Sequence, residues 1–165
     1  MNDFWSYFWP PFAIGLVVGL VAASIGFRRD RRTLAVALGV AVTLGAAGLW
    51  HGPFGAADRL AGHIDRMARE SLDYYEMPAV TAHVHRGPLT RRVILAGPAD
   101  DFQRSELARL LGQVPGSSGA SWSGGSNGLP LIAEGMLTAL AGFLLGTLFA
   151  YLIELRRRYN AQWTW

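Results

Sequence analysis

TRRVILAGPADDFQRSELARLLGQVPG, residues 90–116, carries Arg91, Arg92, Asp100, Asp101, Arg104, Glu106 and Arg109 between flanks that are almost entirely apolar. Seven charges in so short a stretch belong to a segment in contact with water. The 165-residue chain is 51% hydrophobic, so its reading turns on how this water-soluble piece sits among segments built for lipid. It predicts a membrane portion plus one compact soluble insert.

Outward from that stretch, the insert has regular periodicity. From Ala56 to Tyr75, the residues Leu60, Ile64, Met67, Leu72 and Tyr75 recur at about helical spacing, which predicts an amphipathic helix. Asp65 with Arg69, and Arg66 with Glu70, place opposite charges four apart on its exposed face. Pro78 stops it. Val80, Ala82 and Val84 then alternate with Thr81, His83 and His85, a strand pattern. Gly87 and Pro88 turn the chain into a second strand, Arg91 to Ala96, with Val93 and Leu95 toward the first strand's apolar side. Asp100 or Asp101 caps a second helix with an apolar face of Phe102, Leu107, Leu110 and Leu111. A short strand near Ala120–Trp122 follows, then a Gly/Ser linker over 123–130. The predicted order is α-β-β-α-β over residues 51–122.

Val93-Ile94-Leu95-Ala96-Gly97, the helix 101–113 and Val114-Pro115-Gly116 carry a resemblance to the BON domain, a small αββαβ module of bacterial envelope proteins. They stand where that family has its V-x-L-x-G strand, its second helix and its V-P-G turn. Ser117 replaces the valine favoured after the glycine, and Pro88–Arg91 looks like extra hairpin length. The resemblance spans roughly 56–122 and implies a non-catalytic module that binds membranes or other envelope components.

Three apolar runs flank the insert, Phe4–Phe27, Leu34–Trp50 and Leu131–Leu155, each near the roughly 17–25 residues a membrane helix needs. The domain plan is therefore two transmembrane helices in 1–50, the insert, the linker, and a third helix with a tail in 131–165. Pro10 and Pro11 fall in the first turns of run one, where a missing N–H costs little. That run follows MND and precedes its arginines, the reverse of a cleaved signal peptide, so it reads as a retained helix.

All 15 basic residues are arginine, which we read as a coding bias of a GC-rich bacterial genome. Arg28, Arg29, Arg31 and Arg32 form one cluster and Arg156, Arg157 and Arg158 another. Short arginine-rich loops stay in the cytoplasm. Both clusters then give one topology in the bacterial inner membrane, with the N-terminus and residues 51–129 periplasmic and the C-terminus cytoplasmic. WSYFW and WTW suit aromatic belts at opposite interfaces. A basic face on a folded domain, as nucleic-acid binding requires, is not evident, and membrane lipid is the implied contact.

Small residues recur at four-residue spacing: Gly15 and Gly19, Gly142 and Gly146, and in run two Ala37, Ala41 and Gly45, with Gly39 among them. Such spacing brings helix backbones together in lipid, either within this chain or against another membrane subunit. Glu134 and Glu154 lie near opposite ends of run three, at interface depth, and neither suits a proton relay.

Residues with chemical potential are few. Cysteine is absent, which removes disulfides, thiolate metal sites and cysteine nucleophiles. His83 and His85 share a strand face and are candidate metal ligands, but no third or fourth ligand is near in sequence; solvent-facing histidines are the plainer reading. His51, four after Ala47, resembles the pigment-binding Ala-x-x-x-His pattern of bacterial antenna polypeptides and is a candidate cofactor ligand. Gly52 and Pro53 end its helix at once, which favours an interfacial or capping role. The serines lack a G-x-S-x-G context. Adjacent Asp100 and Asp101 suit capping better than paired acid–base work. The glycine-rich stretch 116–128 lacks the Gly-Lys-Ser of a phosphate loop. No catalytic residue and no cofactor are expected.

The expected function is a non-catalytic accessory or scaffold subunit of a larger inner-membrane complex, with respiratory or photosynthetic assemblies as natural hosts. The alternative is a free-standing envelope protein whose BON-like domain binds lipid or another periplasmic component.

Overall fold

The structure, a computed structural model, describes residues 3–29, 32–122 and 128–161. Eight elements follow in order: α1 (Asp3–Arg29), α2 (Arg32–His51), α3 (Ala56–Tyr74), β1 (Thr81–Arg86), β2 (Leu89–Ala96), α4 (Asp101–Leu111), β3 (Gly119–Ser121) and α5 (Leu131–Ala161). Arg31, the linker residues 123–127 and the terminal WTW lie outside the described residues, as do the side chains of Arg28 and Arg29.

The chain forms two compact units, Met1–Tyr7 with Gly55–Glu134 and Phe8–Phe54 with Gly135–Trp165. The soluble unit thus takes in the heads of α1 and α5, beyond the 51–122 expected from polarity. The division in α1 falls just before Pro10 and Pro11, which lie inside the helix. Neither proline has an N–H, so the carbonyls of Ser6 and Tyr7 lose their usual helical partners.

The second unit is helical. Phe4–Phe27, Arg32–His51 and Leu131–Ala161 are each long and apolar enough to cross a membrane. At 1.5 Å per residue even the shortest, α2, spans roughly 30 Å, the thickness of a hydrocarbon core.

In the soluble unit the sheet order is β1-β2-β3. β1 and β2 are antiparallel, pairing Val84 with Val93 and Ala82 with Leu95, while β3 runs parallel to β2 with Ala120 opposite Val93. The peptide bond before Pro88 in the hairpin is cis. The core is Leu60, Ile64, Ala68 and Leu72 of α3, Val84, Val93 and Leu95 of the sheet, and Leu107, Leu111 and Val114.

Three expectations change here. Phe102 is 76% exposed rather than buried, because it stands in the first turn of α4, off the Leu107–Leu111 stripe. Tyr75 caps α3 and is exposed, and Met67 is only half-buried; the α3 stripe is completed instead by Ala57, Ala61 and Ala68, whose small size lets the helix lie close to the sheet. Ile94, opposite His83 on the face expected to be wet, is buried.

Local chemistry explains the joints. Asp100 Oδ1 accepts from Gln103 N at 2.7 Å and Gln103 Oε1 accepts from Asp100 N at 3.1 Å, a reciprocal capping box that starts α4. Val114-Pro115-Gly116-Ser117 closes with Ser117 N donating to Val114 O at 3.0 Å, and Gly116 has φ 95. Proline second and a positive-φ glycine third are what a type II turn requires. Gly97, at φ 133, lies where a Cβ would stand 2.5 Å from Ala79 O, so only glycine lets β2 end against the start of β1.

Candidate functional site

In the helical unit, the glycines of α1 and α5 meet each other. A methyl placed on Gly15 would overlap the Ala139 carbonyl, and one on Gly19 that of Phe143. In return, methyls on Gly142 and Gly146 would strike the carbonyls of Phe12 and Leu16. Backbones this close exchange dispersion contacts and Cα–H···O interactions that bulkier residues would forbid. Gly39 of α2 belongs to the same interior, its added Cβ only 2.8 Å from both Ala22 Cβ and Phe143 Cε2.

α2 is engaged on one side only. Its buried residues Gly39, Thr43 and Ala47 lie one turn apart. At 100° per residue, Ala37, Ala41, Gly45 and Gly48 occupy the opposite side. Ala37, Ala41 and Gly45 are exposed, and neither Gly45 nor Gly48 would bring an added Cβ within 4 Å of any atom of the described residues. The helix therefore carries two small-residue faces, one filled and one open, with Leu34, Leu38 and Leu49 exposed around it.

In the soluble unit, Arg91 of β2 gathers the first turn of α5. Its Nε and Nη2 donate to Glu134 Oε2 and Oε1 at 2.6 and 3.2 Å, and its Nη1 donates to Gly116 O at 3.0 Å. The guanidinium also lies 5.4 Å from the Phe4 ring. Beside it, buried Tyr7 donates its hydroxyl to Leu131 O at 3.2 Å. Nothing local in sequence marks these contacts, since Arg91 and Glu134 are 43 residues apart.

Asp65, expected to pair with Arg69 along α3, instead reaches β1. Its Oδ1 accepts Val84 N–H at 2.6 Å and its Oδ2 accepts Arg86 Nη2 at 3.2 Å. β1 is an edge strand, and a carboxylate on its outward N–H blocks further strand pairing at that point. Next to this block, a groove of about 350 Å³ opens between the end of α3 and β1, lined among others by Arg69, Leu72, Asp73, Met77, Val80 and Thr81. On α4, the Glu106 carboxylate at 2.7 Å holds the Arg109 guanidinium above the usual arginine range.

The histidines are placed apart from any ligand set. His83 is exposed, and His85, half-buried beside a register shift, holds Pro88 O at 3.0 Å through Nδ1. His51 is the last residue of α2. Among the described residues no group of three or more His, Cys, Asp or Glu is arranged to hold a metal ion. Glu154 pairs with Arg158 at 3.0 Å and with Arg157 at 3.9 Å.

Comparison with known protein families, with curated proteins and with solved structures finds no match to this chain.

Proposed function

We propose that this protein is a non-catalytic accessory or scaffold subunit of a larger bacterial inner-membrane complex, with a BON-like module held in the periplasm by three membrane helices. The observation that carries this reading is the second small-residue face of α2. Its glycines meet nothing among the described residues, whereas those of α1 and α5 are filled by their own chain. In lipid there is no hydrophobic gain from joining two helices, so close backbone approach through small residues is what selects a partner. The arginine clusters 28–32 and 156–158 support the orientation, by the preference of such loops for the cytoplasmic side.

The test is affinity purification from native membranes in mild detergent, with the natural chain beside a Gly45→Leu variant. Stoichiometric recovery of defined membrane subunits with the natural chain, lost in a folded Gly45→Leu protein, is the expected result. Recovery of the natural chain alone would overturn it.

The groove beside β1 favours a second reading, a free-standing envelope protein whose module captures another component. A groove lined by Arg69 and Asp73 together with Leu72, Met77 and Val80 suits a peptide more than a lipid tail.

A further inference from the structure

At the arginine-rich end of the helical unit, α1, the start of α2 and α5 enclose a cleft of about 110 Å³ lined by Phe27, Arg32, Tyr151, Glu154, Leu155 and Arg158. We propose that this cleft binds the headgroup phosphate of an anionic phospholipid.

Its size, its walls and its charge agree. At about 30 Å³ per water in the liquid, the cleft holds roughly the volume of one tetrahedral oxyanion. Part of the wall is apolar: the Phe27 and Tyr151 rings lie 6.1 Å apart, and Tyr151 and Leu155 are each about half exposed, so acyl chains can lie against them. Two guanidinium groups line it as well. Arg32 lies 5.7 Å from the Phe27 ring and makes no ion pair among the described residues. Arg158 is 59% exposed and, among the described residues, pairs with Glu154.

The acid in the cleft, Glu154, would repel a phosphate if it stood alone, but Arg158 and Arg157 already hold it. The surrounding sequence strengthens the field. FRRDRR and ELRRRY contain seven arginines against Asp30 and Glu154. Basic pockets between membrane helices bind anionic headgroups by this combination of fixed charge and apolar flank. Guanidinium geometry also matches phosphate oxygens in pairs.

The experiment uses the full chain in detergent, titrated with phosphatidylglycerol or with phosphatidylcholine of the same acyl chains and read by native mass spectrometry. Phosphatidylglycerol is expected to bind about tenfold more tightly or better. The Arg32→Gln/Arg158→Gln variant should lose about thirtyfold in that affinity, the effect of two basic residues near the headgroups. Arg156→Gln removes one charge from the same helix end at a residue that does not line the cleft, and it should lose less than about twofold. Glu154→Gln should bind phosphatidylglycerol more tightly, a gain that misfolding could not produce. A loss with Arg156→Gln as large as that with Arg32→Gln or Arg158→Gln alone would mean diffuse surface attraction and would overturn the proposal. So would equal affinity for the two lipids, or displacement of bound lipid by millimolar inorganic phosphate.

Discussion

Arg91 on β2 and Glu134 in the first turn of α5 form a two-point ion pair, at 2.6 and 3.2 Å, with side chains 18% and 16% exposed. A pair this enclosed gains less than its Coulomb energy suggests, because both charges leave water, yet removing one member strands the other. Glu134→Gln, which leaves the guanidinium with a neutral partner, is expected to lower the stability of the soluble unit by about 1–3 kcal/mol. Hydrogen exchange at the amides of β2 measures it; protection unchanged from the natural chain would show the pair to be dispensable.

The reciprocal glycines of α1 and α5 predict a sharp contrast with those of α2. Gly146→Ala, which drives a methyl into the Leu16 carbonyl, should destabilise by about 1–3 kcal/mol, the usual range for overpacking a filled interior. Gly45→Ala meets open space and should leave the isolated protein unchanged. Thermal unfolding of both variants in one detergent, followed by circular dichroism, compares them directly.

Asp65 makes a prediction about solubility as well as stability. Asp65→Ala removes the acceptor of Val84 N–H and the partner of Arg86. The loss is expected to be about 1–2 kcal/mol, accompanied by faster exchange at the Val84 amide. An unblocked edge strand also invites pairing with another chain, so light scattering of the variant should rise with concentration. A variant as monodisperse as the natural chain would show that the carboxylate does not protect the edge.

At the start of α4, Asp100→Ala removes the half of the capping box in which the Asp100 carboxylate accepts from Gln103 N and should cost about 1 kcal/mol. Asp101→Ala, one residue on and without a capping bond, should cost measurably less. Chemical denaturation of the two variants side by side separates a cap from a generic acidic residue in the first turn.

Much of this architecture was legible from local pattern. Three long apolar runs have no stable alternative to helices, because a backbone in lipid must satisfy its own hydrogen bonds. Alternation over Val80–His85, the Gly87–Pro88 turn and the capping position at Asp100 or Asp101 marked the elements of the insert to within a few residues. Burial was less legible. Phe102 is apolar and exposed, while Ala61 and Ala68 are small and buried, because the distance between packed elements, not side-chain hydrophobicity alone, decides which residues reach the core.

The sequence by itself determined the element types, the apolar lengths and the presence of small residues at helical spacing, all of which depend on neighbours a turn or less apart. Only the tertiary structure decided which small faces are filled. It buried Gly39 and left Gly45 open on the same helix, turned Asp65 from its own helix to a strand edge, and brought Arg91 to Glu134 across 43 residues. Those choices rest on long-range packing, where a contact forms only if two surfaces meet at the right depth, and no period in the chain records that depth.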